Sequence, residues 1–153
     1  MYSDDEEGST PGPGGVFRRI LVGYDGSDEA RKALQIATAL AADLHGDVIV
    51  LSVVRPPAHA ETPEERERAM EAERENLSQG MNDVSNQTRH RWNVTTAVVF
   101  ADDPARAIGL YAEEHGFDLV VVGVHGREQM THRGIGRSLE ALLRNLPCPV
   151  LVV

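Results

Sequence analysis

Short apolar, β-branched runs alternate along this chain with longer stretches in which apolar positions recur every three or four residues. The first run lies within 16–22, ending Ile20-Leu21-Val22. It is stopped by Gly23-Tyr24-Asp25-Gly26-Ser27, which predicts a strand entering a loop. Apolar residues then fall at Ala30, Ala33, Leu34, Ala37, Leu40, Ala41 and Leu44, a helical period that Ser27 or Asp28 can cap. Val48 to Val54 is almost continuously apolar, as expected of a strand covered on both faces, and Pro56-Pro57 ends it.

Residues 61–86 are highly charged, with Glu64 and Arg68 one turn apart and Met70, Leu77, Met81 and Val84 along one side. They predict an exposed helix with a narrow apolar stripe and a weak point at Gly80. A third strand is predicted over 92–100. Asp102-Asp103-Pro104 then opens a helix with proline in its first turn and Ala105, Ile108 and Ala112 facing inward. A fourth strand over 118–123, a helix over 137–146 carrying Leu139, Leu142, Leu143 and Leu146, and a last strand over 150–153 complete the pattern.

Strand-helix alternation with buried-type strands predicts an α/β fold, a doubly wound parallel sheet with helices on both faces. Such sheets bind ligands beyond the carboxyl ends of their strands, where the strand order reverses. If the first and fourth strands are neighbours there, the loops at 23–27 and 123–136 meet over one crevice.

At 153 residues and 41% apolar composition the chain is expected to form one domain over 16–153. Residues 1–15 are acidic and rich in glycine and proline, with neither a basic nor an apolar region, and read as a disordered tail. No apolar run approaches the roughly 18 residues of a membrane span, so the expected location is cytoplasmic. A formal net charge of −9 argues against nucleic acid or an acidic membrane as partner. The one cysteine, Cys148, lies between Pro147 and Pro149, excludes an intrachain disulfide and reads as a small hydrophobe. The histidines have no zinc-binding spacing, and no metal-binding residues are assigned.

Against that acidic background the segment after the fourth strand is basic: His125, Arg127, His132, Arg133 and Arg137 against Glu128. Gly123 and Gly126 stand three apart where the strand ends, and Gly136 precedes the next helix. Glycines let backbone approach a ligand that a Cβ would exclude, and a helix start favours an anion. Gly123 and Gly126 taken alone fit an ordinary turn equally well. The loop lacks the Gly-Lys-Ser/Thr of a P-loop, and a dinucleotide fingerprint belongs after the first strand. Asp25 can accept from a ribose hydroxyl or a base amine, or simply satisfy its own loop as an Asx-turn. Asp102 and Asp103 read as a helix cap. Ser138 with His125 is a conceivable nucleophile and base, but no nucleophile elbow surrounds Ser138 and no catalytic residue is assigned.

Ile20-Leu-Val-Gly-Tyr-Asp25-Gly-Ser27, Asp102-Asp103-Pro104, the glycines at 123, 126 and 136, and the closing Leu-Pro-Cys148-Pro-Val-Leu-Val-Val153 together resemble the universal stress protein family over roughly residues 17 to 153. The resemblance implies a five-stranded sheet in the order 3-2-1-4-5. It also implies, for one branch, binding of ATP with a magnesium or manganese ion carried by the phosphates. Positions matching Gly23, Tyr24 and Asp25 would line the nucleotide, and Val53 and Val122 the adenine. Gly123, His125, Gly126 and Arg127 would serve ribose and phosphate, with Gly136, Arg137 and Ser138 closing over the phosphates. One departure stands out: the ATP-binding pattern has serine or threonine directly after the third glycine, where this chain has Arg137. Arginine adds charge and a fork of donors but needs room.

The resemblance also implies a homodimer through the last strand. Val150 to Val153 is apolar and would otherwise leave an unguarded sheet edge. The related fold carries ATP-pyrophosphatases and nucleotidyltransferases, but the first loop is not Ser-Gly-Gly-x-Asp-Ser and no His-x-x-His stands near the first helix. The expected function is a nucleotide-binding stress-response module with an unidentified protein partner. The alternatives are an interaction dimer without nucleotide and a slow ATP-hydrolysing enzyme.

Overall fold

The computed structural model describes residues 16–56, 61–87, 94–124 and 137–153. The tail predicted over 1–15 lies outside them, as do the first two residues of the strand predicted over 92–100. In order the elements are β1 (Arg19–Gly23), α1 (Asp28–Leu44), β2 (Asp47–Val54), α2 (Pro63–Gln87), β3 (Val94–Phe100), α3 (Pro104–Glu114), β4 (Leu119–Val122), α4 (Arg137–Asn145) and β5 (Val150–Val152). The strands form one parallel five-stranded sheet in the order β3-β2-β1-β4-β5.

Alternation along each strand divides the core in two. Ile20, Val22, Val48, Val50 and Val121 pack with Ala30, Ala33, Leu34, Ala37 and Ala41 of α1 and with Leu77 of α2. Leu21, Leu51, Val120 and Val122 pack with Ala105 and Ala112 of α3 and with Leu139 and Leu142 of α4. Helices therefore cover both faces, as strands apolar on both sides require.

β1 begins at Arg19, later than the apolar pattern predicts; Val16 is 70% exposed. The Asp118 carboxylate accounts for the start. Its two oxygens accept the Arg18 and Arg19 backbone N–H groups at 2.9 and 3.0 Å, fastening β1 to the residue before β4. On α4, Leu139 and Leu142 are buried and Leu146 packs against the same cluster, whereas Leu143 is 43% exposed. Positions spaced three and four apart keep one line along a helix, and Leu143 sits on the flank of that line.

Helix α2 touches the sheet narrowly. Leu77 is fully buried and Met81 packs partly against the core. Ser52, a buried polar residue on β2, donates from Oγ to Glu73 Oε1 at 2.7 Å, so the acidic helix also satisfies a hydroxyl beneath it. Thr38, equally buried on α1, donates to the Leu34 carbonyl at 2.9 Å. Among the described residues no helix is long and apolar enough to cross a membrane.

Candidate nucleotide site at the strand ends

The strand order reverses between β1 and β4, whose register pairs Val22 with Val121. Both strands end together, so the segments starting at Gly23 and Gly123 leave the sheet side by side. Gly23 closes β1 opposite Leu51 of β2, and the next N–H, of Tyr24, donates to the Leu51 carbonyl at 2.9 Å. A Cβ on Gly23 would lie 3.2 Å from Ile108 Cδ1 and 3.2 Å from Val122 Cγ1. At Gly123 the constraint is harsher: a Cβ would lie 2.7 Å from the Glu29 Cβ and 3.0 Å from its carbonyl carbon. Gly123 thus lays its main chain against the first turn of α1. That contact ties the end of β4 to the start of α1, and packing gives both glycines a reason independent of any ligand.

Asp25 forms the Asx-turn: its Oδ1 accepts the Ser27 N–H at 2.9 Å. Gly26 sits within that turn at φ 80°, which glycine adopts without strain. Ser27 is the N-cap of α1, its Oγ accepting the Ala30 N–H at 3.1 Å, and Asp103 caps α3 in the same way ahead of Pro104. Both caps are legible in the sequence. The first turn of α1 also carries Asp28 and Glu29. With one orphan N–H taken by Ser27 and two carboxylates beside the positive helix end, this terminus does not favour phosphate. In the first turn of α4 the acid, Glu140, is paired with Arg144 at 2.8 Å.

Tyr24 is 6% exposed and packs in the core cluster of α1 and α2. Its hydroxyl lies against Gly80 of α2, where an added Cβ would overlap it. Gly80 therefore marks a close approach, and α2 runs through it unbroken to Gln87. The Arg31 guanidinium hydrogen-bonds the Tyr24 side chain, which, ahead of Asp28 and Asp83, holds the Arg31 pKa above its ordinary value.

Val53 and Val122 lie on the face covered by α3 and α4, Val122 buried and Val53 partly buried, with Val53 two residues beyond the partner of Gly23. His125, Gly126, Arg127 and Gly136 lie outside the described residues, as does the pairing of His125 with Ser138. Arg137 and Ser138 open α4. Cys148 packs against the α3 and α4 cluster; burial first, then the Asp118 carboxylate, raises its thiol pKa, which keeps it protonated in its small-hydrophobe role. Among the described residues no group of three or more His, Cys, Asp or Glu is placed to hold a metal ion.

The family model for the universal stress protein family matches residues 17–153, nearly the whole of the described fold. The chain belongs to the universal stress protein family. A universal stress protein of Synechocystis is 34% identical over 92% of this chain and 88% of its own length. Among solved structures, a universal stress protein in complex with cAMP superposes with a TM-score of 0.67 at 23% identity, covering 90% of this chain and 96% of its own. The Archaeoglobus fulgidus universal stress protein in complex with dAMP gives 0.64 at 20% identity, over 90% and 98%. At those identities the two structures share the fold with this universal stress protein. Missed at the sequence level were Glu29, the seat of Gly123, and the Tyr24–Gly80 contact. Each is a meeting of residues far apart in the chain that no local spacing signals.

Proposed function

We propose that this universal stress protein binds an adenine nucleotide, ATP with Mg or Mn carried by its phosphates, at the paired ends of β1 and β4. In this reading it acts as a stress-response signalling module and does not turn the nucleotide over. The observation that carries the reading is that β1 and β4 end side by side at the switch in strand order, with Gly123 seated on Glu29 at the start of α1. The relatives in complex with cAMP and dAMP support an adenine ligand. Val53 and Val122 supply apolar surface for the base, and Asp25, at the mouth of the first loop, an acceptor for ribose or adenine. The basic segment bearing His125, Gly126, Arg127 and Gly136, with Arg137 and Ser138 at the start of α4, supplies charge and donors for phosphate. The bound cation would offset phosphate charge, which matters beside Asp25, Asp28 and Glu29.

Titration calorimetry with Mg-ATP tests the reading. Wild type is expected to bind, and Gly126→Ala, which adds a Cβ to the loop that the reading assigns to phosphate, to bind at least about tenfold more weakly, or 1.4 kcal/mol. Chromatography of the same sample after incubation is expected to return intact ATP. No heat from wild type, or unchanged affinity in a folded Gly126→Ala protein, removes the assignment.

The reading includes a homodimer paired through β5. This strand is the edge of the sheet, and Val152 on it is 36% exposed. Leu151 and Val153 pack on the core, and Val153 donates its N–H to the Val122 carbonyl of β4 and accepts from the Val124 N–H just beyond it, so deleting the terminus would damage the fold itself. A charge on the outward position is the cleaner probe. Val152→Lys is expected to convert a dimer to a monomer in sedimentation at micromolar concentration. A monomeric wild type, or a dimer indifferent to the lysine, rules out β5 pairing.

A further inference from the structure

We infer that Tyr24 is a positioning residue that ties the candidate nucleotide loop to α2, making the seating of α2 and the occupancy of the site one coupled equilibrium. The inference rests on the binding reading above. Tyr24 lies between Gly23 and Asp25, so its main chain belongs to the loop, while its ring is buried on the α1 and α2 face. A Cβ at Gly80 would overlap the hydroxyl and stand 3.0 Å from Cζ and 3.5 Å from Cε1, so ring and helix meet with no slack. Arg31 holds the hydroxyl from α1 and lies near Asp28 and, on α2, Asp83.

The other fastenings of α2 described above are Leu77, Met81 and the Ser52–Glu73 bond, all with the body of the core. Tyr24 is the fastening that comes from the loop. A closely packed interior does not deform smoothly, so a shift of the Tyr24 backbone must either push on α2 at Gly80 or withdraw the ring from beneath it. Coupling of this kind is reciprocal: a nucleotide that fixes the loop holds α2 down, and a change at Gly80 is felt at the nucleotide. Neither Gly80 nor the Tyr24 ring need touch the ligand for this to operate, since the ring acts through the Tyr24 main chain between Gly23 and Asp25.

The test uses the full-length chain, Mg-ATP calorimetry and backbone hydrogen exchange. Gly80→Ala should remain helical, alanine being the better helix former, yet bind ATP at least about tenfold more weakly. Tyr24→Phe removes the overlapping oxygen, so the double variant should bind ATP at least about threefold more tightly than Gly80→Ala alone. In wild type, ATP should slow exchange of the α2 amides around Leu77 to Asp83, and in Gly80→Ala it should not. Wild-type affinity in Gly80→Ala, or a double variant no better than Gly80→Ala, overturns the inference. Should Gly80→Ala fail to fold, the wild-type exchange decides: ATP binding that leaves α2 exchange unchanged rejects the coupling alone. A wild type that binds no ATP rejects the binding reading and the coupling with it.

Discussion

Gly123→Ala is expected to cost about 2 kcal/mol of stability, within the roughly 1–3 kcal/mol typical of overpacking, and to lower ATP affinity at least tenfold. The reason is steric. Gly123 does not occupy the left-handed region that Gly26 occupies at φ 80°, but its Cβ would meet Glu29 at Cβ, carbonyl carbon and oxygen, at 2.7, 3.0 and 3.2 Å. Two of these atoms are main chain in the first turn of a capped helix, which cannot swing aside as a side-chain tip does. The loop after β4 must therefore lift from α1, and the two halves of the crevice separate. Urea unfolding with calorimetry on the same variant checks both parts. Stability within about 0.5 kcal/mol of wild type, the range of an ordinary surface change, would show that the seat on Glu29 does not hold the loop.

Leu77→Ala is expected to cost about 3 kcal/mol, inside the roughly 2–5 kcal/mol range for emptying a buried leucine site. Leu77 is 0% exposed and packs in the cluster that holds Ile20, Val22, Val48 and Val50. In α2, which otherwise turns charged residues outward, it carries the central apolar contact with the sheet. Its loss leaves a cavity between helix and strands, since Tyr24 and Gly80 are already in contact one turn away and cannot close in. A fall in the urea midpoint with unchanged slope is the expected observation. A loss below about 1 kcal/mol would show that α2 is held by its polar contacts instead.

Local regularities were legible in the residues alone. The apolar periods placed every strand and helix among the described residues, because burial of one face imposes its repeat on the side chains that line it. The Ser27 and Asp103 caps were legible because donor and acceptor lie three residues apart. Alternation of elements implied a parallel doubly wound sheet; its order, 3-2-1-4-5, came from family resemblance and is the order observed. Strand ends were read less well, since Asp118 sets the start of β1 across ninety-nine and one hundred residues of sequence.

The glycines show where sequence reading stops. Gly80 looked like a flaw in a helix and is a close contact with Tyr24; Gly123 looked like a loop residue and is also a seat on Glu29. The Tyr24 ring, which no local pattern placed, is buried against Gly80. By itself the sequence determined which segments are strands and helices, where α1 and α3 are capped and which loop concentrates positive charge, because each of these is settled by neighbours a few residues apart. Only the tertiary structure decided which glycines are needed for packing, what Gly123 rests on and which side chain lies against Gly80 of α2, because those depend on distances between atoms that the chain brings together only on folding.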